Sequence, residues 1–99
     1  MDSIYNRYAL GLFSIAEDEN KVEIYKDEIK NIDILLKENV DLVHLFSSYF
    51  INQNKKEKCV DKIFVNFQTY VINFLKLIIK NNRINKFCLI AKEFNKLCN

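Results

Sequence analysis

The chain has 99 residues, a net charge of +2 and 49% apolar content, so it is long enough for one domain with a real core and too hydrophobic to stay disordered. Proline is absent and glycine occurs once, which argues against the tight turns of a β-rich fold. The small positive charge, with two arginines in all, argues against a nucleic-acid partner.

The N-terminus reads MDSIYNRY, with an acid at position 2 and no apolar stretch of the kind a signal peptide carries. A helix pattern then runs from about Ile4 to Asp18. Tyr5, Tyr8, Ala9, Leu12, Phe13 and Ala16 repeat at helical spacing and predict an inward stripe. Ile4, Tyr8, Gly11 and Ile15 lie on an adjoining face, and Asn6, Arg7, Ser14 and Glu17 on the wet side. Gly11 costs about 1 kcal/mol relative to Ala in mid-helix. It also leaves a dent where another backbone comes close.

The second helix pattern runs from about Lys21 to Glu38. Val22, Tyr25, Ile29, Ile32 and Leu36 face inward, with Ile24 and Leu35 widening the stripe. Asp33 with Lys37, and Glu23 with Lys26, are spaced as surface ion pairs. Asn39 is a candidate N-cap for a short third helix carrying Leu42, Val43, Leu45 and Phe46. Ser47 to Asn52 reads as a connection pinned by Phe50 and Ile51. A fourth helix starts near Asn54, where Asn54 and Glu57 form a capping-box pattern, and turns Cys59, Val60, Ile63, Phe64 and Phe67 inward.

The fifth helix, from about Asn66 to Lys80, is the most distinctive. Seven of the nine residues from Val71 to Ile79 are apolar. The polar positions Thr69, Asn73, Lys76 and Lys80 fall on one narrow strip. Such a helix is either the centre of a bundle or a central helix that lends one side to a partner. It is too short, and too broken by Asn73 and Lys76, to span a membrane, which takes about 20 apolar residues. Asn81-Asn82-Arg83 ends it, since Asn tolerates the left-handed conformation. A sixth helix starts near Arg83 and buries Ile84, Phe87, Ile90, Ala91, Phe94 and Leu97. Short links between these pieces predict an all-α fold, a compact antiparallel six-helix bundle forming a single domain over residues 1–99.

Catalytic chemistry finds little support. Cys59, Cys88 and Cys98 form no paired motif and sit where helices want apolar residues, so buried reduced thiols are expected. His44 is the one histidine and has no partners at metal-ligand spacing. No glycine-rich phosphate loop is present. The Lys55-Lys56 and Lys58 cluster, interrupted by Glu57, reads as a solvated helix start. Asn, Lys and Ile each occur 13 times, a bias that A/T-rich codons produce.

The order of the pieces resembles the delta subunit of F-type ATP synthase, whose mitochondrial counterpart is the oligomycin-sensitivity-conferral protein. The resemblance is carried by Arg7-Tyr8-Ala9, Leu12-Phe13, Ala16, Tyr25, Leu36-Lys37-Glu38-Asn39 and Asp41-Leu42. It continues through Phe50-Ile51, Lys58, Asp61-Lys62-Ile63-Phe64, Asn73-Phe74-Leu75, Asn82-Arg83 and Glu93-Phe94. Asn82 stands where the family often has Gly, Val40 where Pro is frequent, and Gly11 where Ala is common. The resemblance implies the family's N-terminal domain, with a C-terminal stalk-binding domain missing from this chain.

A non-catalytic stator role follows as the expectation, on the cytoplasmic face of the membrane and without cofactor, metal or membrane insertion. The implied partners are the N-terminal helix of an alpha subunit, held in a groove between the first and fifth helices, and the peripheral-stalk b subunit through the missing domain. The isolated domain is expected to be a monomer. An amphipathic helix in an apolar groove is a standard recognition mode. For this chain the expected groove residues are Tyr8, Gly11 and Ile15 with Tyr70, Asn73 and Leu77, and with Lys76 and Lys80 at the rim. The alternative reading is a small all-helical RNA-binding or regulatory factor of the antitermination type. Binding that weakens steeply with salt would separate it from a stator module.

Overall fold

Two asparagines end two of the helices by the same device. In the computed structural model, which describes residues 3–99, Asn20 and Asn82 have φ of 56° and 61°. Beside Asn20, the Lys21 N–H donates to the Ala16 carbonyl at 2.8 Å; beside Asn82, the Arg83 N–H donates to the Ile78 carbonyl at 2.9 Å. These six-to-one bonds are Schellman closures, which need a left-handed residue that Asn supplies without glycine. The helices are α1 (Ile4–Asp18), α2 (Val22–Glu38), α3 (Val40–Ser47), α4 (Gln53–Ile63), α5 (Thr69–Lys80) and α6 (Phe87–Cys98), with a 3-10 turn at Ile84–Lys86 leading into α6. No strand occurs among the described residues. The acid at position 2 lies outside them.

The predicted all-helical bundle is therefore the observed one, 37 × 31 × 22 Å in extent. Its core takes large side chains from every helix, among them Tyr25, Phe46, Val60, Leu75, Phe87 and Phe94. α1 packs most extensively on α6, where Phe13 meets Phe94 edge-to-face at 6.3 Å. Asn6 adds a side-chain bond to Glu93 across the same interface. α5 is buried through Val71, Phe74, Leu75, Ile78 and Ile79.

Helix ends depart from the sequence reading where distant side chains take part. Asn39 stands at the N-cap position of α3 as expected, but its side chain makes no capping bond there; its amide donates back to the Leu35 carbonyl at 2.9 Å and closes α2. The α4 cap is Asn52, whose Oδ1 accepts from the Lys55 N–H at 2.9 Å. The Asn54–Glu57 box does not form, and Glu57 accepts from Gln53 within the helix. α5 begins at Thr69, later than predicted, because the Glu28 carboxylate from α2 accepts the Gln68 N–H at 2.9 Å. Lys21 holds the Gln68 side chain from the same side at 3.1 Å.

Several expected core residues are on the surface. Ile24, Ile63 and Phe50 are exposed, Phe50 completely, so only the half-buried Ile51 pins the α3–α4 connection. Cys88 is exposed, and Cys59 and Cys98 are half-buried. Cys88 misses the core because Phe87, Ile90, Ala91 and Phe94 already set the inward stripe of α6. Of the two predicted ion pairs on α2, Asp33–Lys37 forms at 3.0 Å. Lys26 donates to Asn99 at 2.9 Å, and no Glu23–Lys26 bridge occurs among the described residues.

Candidate functional site

α1 and α5 run antiparallel along one side of the bundle. At one end the Asn81 side-chain amide donates to the Tyr8 hydroxyl at 2.8 Å. Near the other, Lys21 reaches Gln68 just before α5 begins. Between them lies an open furrow of about 350 Å³. The α1 side is built by Arg7, Tyr8, Gly11, Leu12 and Ile15. The α5 side is built by Tyr70, Asn73, Phe74 and Leu77.

The furrow has an apolar floor and a missing wall. Leu12 and Phe74 are buried beneath it, and the Tyr8 ring meets Phe74 edge-to-face at 6.4 Å. Tyr70 and Leu77 keep 47% and 45% of their surface in solvent. Both face outward because α5 has already spent its opposite stripe on the core. Gly11 is exposed, and a Cβ added there would meet nothing within 4 Å. No element of this chain comes close to the glycine, so packing between α1 and α2 does not account for it.

Six of the residues singled out in the sequence thus line one furrow: Tyr8, Gly11, Ile15, Tyr70, Asn73 and Leu77. Lys76 and Lys80 do not line it. Lys76 is turned towards α4, where its ammonium pairs with Asp61 at 2.8 Å. Lys80 stands exposed in the last turn of α5. Three further residues line the furrow that the sequence pattern does not assign to it: Arg7, Leu12 and Phe74. By periodicity Arg7 falls on the wet side, Leu12 in the inward stripe of α1 and Phe74 in the apolar run of α5; each lies one position from an expected furrow residue, a difference that only the packing angle of α1 on α5 decides.

Nothing in the furrow resembles catalytic apparatus. Its polar groups are one guanidinium, one amide and two phenols. Among the described residues no group of three or more His, Cys, Asp or Glu could hold a metal ion. No described helix is long and apolar enough to cross a membrane. An apolar trough with a dent suits the side of another helix.

Comparison with known proteins agrees with the resemblance. The family profile described as ATP synthase delta (OSCP) subunit matches residues 4–99. ATP synthase subunit delta of Mycoplasma mobile is 50% identical over 88 residues, covering 88% of this chain and 49% of that protein. The Mycoplasmoides gallisepticum subunit is 32% identical over 98 residues, 98% of this chain and 54% of that protein. The subunit from Caldanaerobacter subterraneus subsp. tengcongensis is 35% identical over 95 residues, 95% of this chain and 52% of that protein. The chain spans about half the length of the curated relatives it matches. The antitermination alternative is set aside by a match that runs along nearly the whole chain, and the chain belongs to the ATP synthase delta (OSCP) subunit family.

Proposed function

We propose that this chain is a non-catalytic coupling module of the ATP synthase stator, and that its α1–α5 furrow takes the N-terminal helix of an alpha subunit. It makes and breaks no bond; it supplies a rigid seat so that the catalytic head stays still while the rotor turns. Tyr8, Gly11 and Ile15 form one side of the seat, and Tyr70, Asn73 and Leu77 the other. In this reading the second half of such a subunit, beyond the residues of this chain, grips the peripheral-stalk b subunit. The complex lies at the cytoplasmic face of the membrane, and the module by itself is a monomer with no affinity for nucleic acid.

The observation that carries the reading is the empty space over Gly11. A mid-helix glycine costs about 1 kcal/mol, and nothing within this chain uses the room it leaves. A partner backbone would use it.

The test is calorimetric titration of the chain with a synthetic peptide of an alpha-subunit N-terminus. Saturable one-to-one binding is expected, together with no binding of an oligonucleotide at any salt concentration. Gly11→Leu should fill the furrow and weaken the peptide about tenfold, the scale of one lost interface anchor. Its helical circular dichroism should be unchanged. Equal affinity of the variant and the parent removes Gly11 from the seat, and absence of peptide binding removes the seat.

A further inference from the structure

The furrow is electrically asymmetric along its length. Because α1 and α5 are antiparallel, their macrodipoles oppose and largely cancel, and side-chain charges set the field along the trough. At the Tyr8 end stand Arg7, which lines the furrow, and Lys80 in the last turn of α5. At the other end α1 closes on Glu17 and Asp18, with Glu19 as its C-cap. All three acids are exposed, and none joins an ion pair among the described residues. The nearby Lys21 is already bonded to Gln68 and faces Glu28.

Two observations put Asp18 and Glu19 at this end of the furrow, just beyond the residues that line it. Asp18 and Glu19 lie three and four residues beyond Ile15, the positions that share its helix face. Glu19 also shares a neighbour with Tyr70, the α5 residue at this end of the furrow. Both act on the Tyr25 phenol, adding to the upward push that burial gives its pKa.

This charge order works against α1 itself. Acids at a helix C-terminus and a cation near its start both oppose the macrodipole. α1 has no acidic side chain in its first turn and no basic one in its last. Helix stability gives no reason for the arrangement, whereas a charged partner lying along the helix does. Arg7 and Asp18 are separated by about 16 Å of helix, roughly two Debye lengths at physiological salt. Each end therefore acts on what lies directly over it.

We propose that the furrow dictates the direction of its occupant: an amphipathic helix binds with its cationic end over Asp18 and Glu19 and its anionic end beside Arg7 and Lys80. This rests on the furrow holding a partner helix at all, and it adds that helix's polarity.

Two synthetic helices with one shared apolar face test it. One carries lysines at its N-terminal end and glutamates at its C-terminal end; the other has them exchanged. Each bears a nitroxide at its cationic end and is bound to the isotope-labelled chain. In both complexes the label should broaden the amide signals of Glu17–Asn20 and spare those of Ile4–Tyr8, whichever way the peptide backbone runs. Arg7→Glu and Asp18→Lys should each weaken both peptides severalfold at low salt, with the loss shrinking as salt is added, as exposed charge pairs do. Broadening that follows backbone direction and ignores charge, or that appears at both ends alike, overturns the polarity and leaves the seat standing. If neither these helices nor the alpha-subunit peptide bind, the seat falls, and its polarity with it.

Discussion

The Tyr8 hydroxyl accepts a hydrogen bond from the Asn81 side chain at 2.8 Å, joining α1 to the residue that closes α5. The contact is exposed, yet it sits where the two sides of the furrow must keep their spacing. Tyr8→Phe keeps the ring against Phe74 and removes only the hydroxyl. It should cost about 0.5–1 kcal/mol. Asn81→Ala should cost a similar amount, and the double variant little more than either alone. Urea unfolding of the four proteins measures this coupling.

Gly11 has open space where a Cβ would go. Gly11→Ala should therefore stabilise the chain by about 1 kcal/mol, the helix-propensity difference between the two residues. The melting temperature should rise by about 4–8 °C. A fall in a thermal melt would mean that something in the folded chain uses the glycine.

Leu75 and Leu77 are two residues apart on α5 with opposite roles. Leu75 is fully buried and Leu77 is nearly half exposed. Leu75→Ala should cost about 2–5 kcal/mol of stability. Leu77→Ala should cost well under about 2 kcal/mol while weakening a bound partner helix. Chemical unfolding alongside peptide titration separates the two effects.

The Glu28 carboxyl is held above its ordinary value of 4.5, burial outweighing the lowering by the Gln68 N–H and Lys21. The folded state thus holds this proton more tightly than the unfolded chain. The contribution is stabilising at low pH and is lost as pH rises from 4.5 through the folded pKa. Glu93 acts in the opposite sense. Its bond to Lys96 lowers its pKa, so its contribution is present above 4.5 and lost as pH falls through the folded value. Glu28→Gln, which keeps an acceptor for the Gln68 N–H, should remove the loss above 4.5 and leave the Glu93 limb intact. Urea midpoints measured across pH test this.

Lys76 and Asp61 pair at 2.8 Å between α5 and α4, with Asp61 about half exposed. Asp61→Asn should cost no more than about 1 kcal/mol. That cost should shrink as salt is added, because an exposed pair is screened. Denaturant midpoints at low and high salt show both.

The helices and most inward stripes were legible from residue order alone. Periodicity is local, and the faces of α1, α2 and α6 repeat cleanly enough to name Ala9, Ile29 and Phe94 as core. Asn82 was likewise readable as the end of α5, since few residues tolerate positive φ. Asn20, which does the same for α1, passed unread although the residue type is identical.

Boundaries and exposure were decided elsewhere in the molecule. Thr69 opens α5 because a carboxylate 40 residues earlier caps Gln68, a partner no local pattern contains. Ile63 and Leu77 are equally apolar and both partly exposed, yet only Leu77 lines the furrow. Which of two helical faces is covered depends on the angle at which the neighbouring helix crosses, a property of the pair and not of either strip. Sequence by itself determined that this chain forms amphipathic helices around one core. Tertiary packing alone decided which apolar side chains were left without a neighbour, because burying one stripe of α5 leaves Tyr70 and Leu77 with nothing of the chain's own to cover them.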